Sequence, residues 1–371
     1  MMLHTSCRCA TRSARISALN PGRAFGGLRS LATAHEAFAP VDVAKFKYEA
    51  FDIKEPLVIR PNRPPPTQLE NALAAAANVH HQTPPVNLPA LTKWFTQASP
   101  SENGTPLLTP LWNKYHSLVL PFELVLPPAA EWAKGSGSSR LSAFLSWLSE
   151  SSGPLHKDMA AALRELVSSL PQAPYSDADT RFLRFDAPLA LLDAGLQYNK
   201  ASASPDQYID QLYIAQAPLN TLPPDLRADV PTPDLVREAG NGDIYDSSIW
   251  IGLEPTYTPW HKDPNPNLFC QMCSSKLVRM LPPQRGAQVY DRVRAGLGYT
   301  RTLGFRGDEM MQGPERRALL ESVWGDEVPS DMLEVLVNPQ DVLFIPKRWW
   351  HSVKSVGSSG QLNGSVNWWF R

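Results

Sequence analysis

From Asp206 to Phe370 the chain breaks into short apolar runs separated by Pro, Gly, Asn and Asp, and this rhythm constrains its fold more than any other feature. The runs are Gln211–Gln216, Ser248–Leu253, Leu268–Met272, Leu277–Leu281, Leu333–Val337, Asp341–Pro346 and Gly364–Phe370. Each has strand length and each is closed by turn residues. Short strands at regular spacing predict a double-sheet jelly roll or a barrel. No internal repeat is visible. The half before Asp206 is mixed. Phe51–Ile53 with Pro56–Arg60 and Leu118–Leu126 read as strands. Leu69–Val79, Leu88–Phe95, Ser139–Ser149 and Met159–Leu170 read as helices, with Leu141, Phe144, Leu145 and Leu148 spaced to share one face. Arg181–Leu192 fits neither pattern. Residues 284–330 form a long polar insert with one helical patch, Pro314–Val323.

The chemistry lies in Thr258–Lys276, TPWHKDPNPNLFCQMCSSK, and in a later run, DVLFIPKRWWH, that ends on His351. Residues two apart on an extended segment project to one side. His261 and Asp263 can therefore hold one ion together, and His351 completes the set. Two His and one carboxylate are the ligands of a non-haem Fe(II) centre with open coordination positions; a zinc site is the other reading of the same residues. Lys276 follows on a returning strand. A buried Lys is costly without an anion, so its position predicts pairing with the carboxylate of an acidic cosubstrate. Cys270 and Cys273 form a single CxxC whose parity sends the two thiols to opposite faces of a strand, which predicts packing rather than metal binding.

Bulk properties limit the partners. The 371 residues are 43% hydrophobic with a net charge of -1, so no overall field points to DNA or RNA. The arginines of the insert (Arg279, Arg285, Arg292, Arg294, Arg301, Arg306) read as a solvated surface. No apolar run is long enough to span a bilayer. Residues 1–35 hold five Arg and four Ser and no Asp or Glu, the composition of a mitochondrial transit peptide. The expectation is a disordered, removable leader and a matrix protein, with a cytoplasmic or nuclear protein as the alternative.

The sequence resembles the JmjC (cupin-like) dioxygenases over 206–370, and more thinly over 41–200. The residues that carry the resemblance are Thr258-Pro-Trp-His261-Lys-Asp263, Asn267-Leu-Phe, Lys276, Leu281-Pro-Pro and Asp341-Val-Leu-Phe-Ile-Pro-Lys-Arg-Trp-Trp-His351. The motifs are most similar to the small hydroxylase branch, which includes the asparaginyl hydroxylase of the hypoxia-inducible factor. The resemblance implies a mainly β fold with α, a double-stranded β-helix with N-terminal helices packed outside. With the leader 1–35 set aside, it implies two parts: a region 41–205 completing the barrel and substrate cleft, and a catalytic core 206–371 carrying the insert 284–330. It implies His261, Asp263 and His351 as iron ligands. Lys276, Thr258 and Tyr213 would bind 2-oxoglutarate, with Asn267 and Asn367 lining that pocket.

Fe(II), 2-oxoglutarate and O2 are the implied cofactor and cosubstrates, and the implied reaction is hydroxylation of a protein side chain. A tRNA-base hydroxylase or a lysine demethylase is the alternative within the family, and a non-catalytic binding module the alternative outside enzymes. A cupin enzyme without a keto-acid cosubstrate would leave Lys276 without a purpose. Gln340 stands where the family usually has Gly, which predicts a turn variation. With no dimerising helices before Arg371, a monomer or weak dimer is expected.

Overall fold

The computed structural model describes residues 31–61, 84–96, 105–126, 137–151, 153–169, 180–299 and 308–371. Its strands in chain order are β1 (His35–Phe38), β2 (Leu57–Arg60), β3 (Val119–Leu126), β4 (Arg181–Pro188), β5 (Leu212–Pro218), β6 (Ile244–Leu253) and β7 (Tyr257–Lys262). There follow β8 (Asn267–Cys273), β9 (Lys276–Leu281), β10 (Leu333–Val337), β11 (Val342–Ile345), β12 (Trp350–Ser355) and β13 (Leu362–Phe370). From β6 onward the chain crosses between two sheets at every step but one, β9 to β10, where the insert intervenes. The larger sheet runs β11-β8-β13-β6 and the smaller one β10-β9-β12-β7. All their pairings are antiparallel. This is the jelly roll that the strand rhythm predicts.

The larger sheet is widened by β2 and β1 beyond β11 and by β5, β3 and β4 beyond β6. All nine residues of β13 are buried, as expected for a strand with a neighbour on each side and both faces covered. β1 corrects the expected start of the fold near Val41. Its residues pair in parallel with β2, and Ala32 bridges Leu333. Arg60 holds this corner by pairing with Glu36 at 2.8 Å and with Asp341.

The helices are α1 (Val43–Phe46), α2 (Ala90–Lys93), α3 (Gly137–Glu150), α4 (Pro154–Ser168), α5 (Ala190–Ala201), α6 (Pro224–Ala228), α7 (Asp234–Ala239), α8 (Pro283–Gly296) and α9 (Gly313–Trp324). α3 buries Leu141, Phe144, Leu145 and Leu148 in the main core, as their spacing requires. Phe51–Ile53, expected in a strand, instead ends a helical segment that runs on from α1 through Lys47–Phe51. Arg181–Leu192 resolves into β4 and the start of α5. The Pro-rich stretch after β5 holds α6 and α7. The helix expected over Leu69–Val79 and the leader up to residue 30 lie outside the described residues.

Two helices occupy the described part of the insert where one is expected. α8 and α9 cover the outer face of the smaller sheet. There Val289, Tyr290, Val293, Leu319 and Val323 cluster with Trp260, Leu281 and Trp350. Burying one such apolar side chain is worth about 2–3 kcal/mol. Gly286 sets the approach: a Cβ there would lie 2.3 Å from Trp350, and Trp260 Nε1 donates to its carbonyl at 3.1 Å. Cys270 and Cys273 share the main core. The expected opposite facing is undone by a register shift opposite Gly364 and Ser365.

Candidate metal and anion site

β7 and β12 lie side by side at one edge of the smaller sheet, with His261 directly opposite His351. Alternation sends Trp260 and Trp350 outward to the insert helices and both His inward. The imidazole rings are 4.2 Å apart. His261 Nε2 lies 3.8 Å from Asp263 Oδ1, and His351 Nε2 lies 3.7 Å from Asp263 Oδ2. The three ligand atoms all fall within 4.8 Å of one another, so one ion can reach them all.

The surrounding bonds fit a metal. His261 Nδ1 lies 2.8 Å from the carbonyl of Pro259, and His351 Nδ1 lies 3.1 Å from that of Trp349. A carbonyl only accepts, so each Nδ1 carries the proton and each Nε2 keeps a lone pair for an ion. Asp263 Oδ2 accepts from Trp369 Nε1 at 2.7 Å and from Asn267 Nδ2 at 3.1 Å. Asn367 Nδ2 donates to Asn267 Oδ1 at 3.2 Å, and Trp250 Nε1 donates to Asn367 Oδ1 at 2.8 Å. Asn267 and Asn367 thus form a relay that aims the carboxylate, besides lining the cavity. The backbone N–H of Arg348 donates to the Asp263 carbonyl at 3.0 Å, which ties the two ligand segments together.

The cavity measures about 440 Å³ and is lined by Thr258, His261, Asp263, Lys276, His351 and Tyr213 among others. At one end lies Lys276, 3% exposed. Its Nζ donates to Tyr213 Oη at 2.9 Å and to Ser365 Oγ at 2.8 Å. Phe269 and Tyr213 present their rings to it at 5.4 and 5.5 Å. No carboxylate of the described residues forms an ion pair with it. Burial lowers its pKa to about 7, opposed by the charge of Glu254. Glu254 is itself raised to about 7, chiefly by burial, while Asn363 pulls it down by donating to the carboxylate. A carboxylate entering the cavity would restore the ammonium.

All eight residues picked out in the sequence line this one cavity. Two contacts escape a sequence reading, Ser365 and Trp369. The signal that finds them is the alternation of β13: Asn363, Ser365, Asn367 and Trp369 fall on one face, while Leu362, Val366, Trp368 and Phe370 enter the core. The face then runs from the Lys276 end to the Asp263 end.

A family model of the cupin-like domain matches residues 172–371, more than half of the chain. The chain belongs to this cupin-like domain family. Among the relatives of its cupin-like domain are a Jumonji C domain-containing protein 5 of Drosophila melanogaster and a lysine-specific demethylase 8 of Danio rerio. The first is 28% identical over 176 residues, 47% of this chain and 40% of the relative. The second is 30% identical over 161 residues, 43% of this chain and 36% of the relative. The lysine-specific demethylase JMJ30 of Arabidopsis thaliana is 26% identical over 166 residues, 44% of this chain and 34% of the relative. The chain thus covers some two-fifths or less of these relatives' own length. The JmjC resemblance read from the motifs is borne out at the level of the domain.

Proposed function

We propose that the chain is an Fe(II)- and 2-oxoglutarate-dependent oxygenase that hydroxylates a protein side chain. One observation carries the reading: the His261, Asp263 and His351 ligand set shares a cavity with a buried Lys276 that forms no ion pair among the described residues. An iron(II) ion held by the three ligands would supply the oxidising chemistry. The residues of the chain do the rest. The Nδ1 protons on the two carbonyls fix the imidazoles, Trp369 and Asn267 hold the carboxylate, and Lys276, with Tyr213 and Thr258, receives the far carboxylate of 2-oxoglutarate. In the overall reaction one oxygen atom of O2 ends in succinate and the other in the substrate alcohol, with release of CO2.

Hydroxylation is supported by the motif resemblance. A second reading, demethylation of lysine, is supported by the names of two of the relatives. It differs only in the carbon attacked: a hydroxylated N-methyl group leaves as formaldehyde. The test is succinate formation from 2-oxoglutarate with Fe(II) and ascorbate, wild type against His261→Ala. No turnover together with no 2-oxoglutarate binding would overturn the oxygenase reading. A stable oxygen adduct on a substrate peptide supports hydroxylation, and formaldehyde supports demethylation. We further propose a mitochondrial location, on the acid-free, Arg-rich composition of residues 1–35. A reporter fused to residues 1–40 that stays in the cytosol refutes it.

A further inference from the structure

The outer side of the β7 edge carries a second set of cations that the metal and cosubstrate do not use. Arg316, on α9, lines the same cavity as Tyr257 and Thr258. Its guanidinium stands 5.0 Å over the Tyr257 ring. Its Nε is buried and has no hydrogen-bond partner, and neither does the buried Tyr257 hydroxyl. Lys354 sits directly opposite Tyr257 in the β7–β12 ladder, where side chains of a pair lie about 5 Å apart. Its Nζ stands 5.1 Å over the Trp324 ring. Neither cation forms an ion pair among the described residues.

The neighbouring arginines behave differently. Arg279 also stacks on Trp324, yet it pairs with Glu334 at 2.7 Å. Arg294 pairs with Glu315, the residue next to Arg316, at 2.7 Å. Arg285 pairs with Asp331 at 2.7 Å. Arg279, Arg285 and Arg294 thus each meet an acid, and Arg316 forms no ion pair among the described residues. Burial lowers both Arg316 and Lys354 from their ordinary values, and the charges of Arg279 and then Arg316 lower Lys354 further.

We propose that Arg316, Lys354 and the Tyr257 hydroxyl form a carboxylate-binding site at the cavity mouth that holds an acidic side chain of a peptide substrate. A planar guanidinium beside an ammonium and a hydroxyl suits one carboxylate. Two cations between aromatic walls suit a single anion rather than a nucleic-acid backbone, which needs a basic stripe. The proposal deepens the oxygenase reading and rests on it for calling the peptide a substrate.

The test uses two labelled degenerate peptide pools, identical except that Asp and Glu in one are Asn and Gln in the other. Binding is followed by fluorescence polarisation to the full chain with Mn(II) and 2-oxoglutarate present. Wild type is expected to bind the acidic pool at least about tenfold more tightly. Arg316→Gln and Lys354→Gln should each remove most of that preference, and Arg316→Lys should keep part of it. Equal binding of the pools, or a preference that both Gln variants retain, overturns the proposal. So does an oligouridine that outcompetes the acidic pool on wild type, which would assign the site to RNA. Titration of 2-oxoglutarate alone is run beside it: if that fails while the acid preference holds, the oxygenase reading falls and the carboxylate site stands.

Discussion

At the metal end of the cavity each of the three ligand side chains is already held by a neighbour. His261 and His351 rest on backbone carbonyls, and Asp263 takes two N–H donors from Trp369 and Asn267. At the Lys276 end a buried ammonium lies between two neutral hydroxyls and forms no ion pair among the described residues, with the nearby charge of Glu254 opposing the cost of its burial. The first arrangement is rigid before anything binds, because second contacts fix the ligand orientations. The second is costly until an anion arrives. An ion should therefore bind the chain with little rearrangement, whereas the cosubstrate's carboxylate should change both the protonation and the stability of the protein.

The largest expected effect comes from breaking the rigid end. His351→Ala leaves two ligands and should lower metal affinity by more than about 100-fold, beyond what loss of an outer contact costs. Titration with Mn(II) followed by calorimetry checks it, with an unchanged melting curve as evidence of folding. Lys276→Met breaks the other end. It should weaken 2-oxoglutarate binding by about 10- to 100-fold, the worth of hydrogen bonds to a charged group. The same variant should melt higher than wild type without ligand, because an uncompensated buried charge is gone. A lower melting point would show that the two hydroxyls already compensate the ammonium.

Acidity sharpens the comparison further. The Lys276 pKa is lowered from 10.5 to about 7 by burial, so the unfolded chain holds the extra proton between those values. Stability therefore rises with pH across that window. Glu254 is raised from 4.5 to about 7, so the folded chain holds the extra proton there and stability falls as pH rises through that lower window. Anion binding needs the charged Lys276. The affinity for 2-oxoglutarate should accordingly fall as pH rises above about 7, up to tenfold per unit, and Lys276→Met should flatten the profile. A wild-type profile flat between pH 7 and 9 would contradict the buried, unpaired ammonium. A smaller effect is expected at Trp369→Phe, which keeps the ring but removes the 2.7 Å donor to Asp263. Metal affinity should drop about tenfold with 2-oxoglutarate affinity at saturating metal little changed.

The same two ends differ in how they were written in the sequence. The ligand set is legible because HxD needs only strand alternation, and His351 closes an apolar run of strand length. The jelly roll is legible because its strands are short and cleanly punctuated. Lys276 is legible as a cation that needs an anion, but Ser365 is not: a serine in a buried strand gains meaning only once β13 is seen to turn that face toward Lys276. α8 is hidden in the sequence for a different reason. PQRGAQVYDRVRAG carries a narrow apolar stripe of Val289, Tyr290 and Val293, and what holds it is packing on Trp260 and Trp350 from strands distant in sequence. Tertiary burial of this kind overrides local propensity. α5 is masked because it follows β4 with a one-residue step at Leu189, so that two periodicities meet inside one window.

Gln340 is the smallest test and joins the metal end to the turn chemistry of the β10–β11 connection. Its φ is +77°, a left-handed backbone that favours glycine and costs other residues about 1–2 kcal/mol. Its N–H donates to the Gln271 carbonyl at 2.9 Å, and the next residue, Asp341, accepts from the Asn338 N–H at 2.7 Å and pairs with Arg60. The turn is therefore held by its neighbours rather than by the Gln340 side chain. Gln340→Gly removes the backbone penalty while keeping every hydrogen bond, although the unfolded chain gains freedom that offsets part of the benefit. The expected net gain is about 0.5–1 kcal/mol, or roughly 2 °C in Tm for a domain of this size. Metal and 2-oxoglutarate affinities should be unchanged. A drop in Tm would mean that the side chain of Gln340 supports the turn that leads into β11 and on to His351.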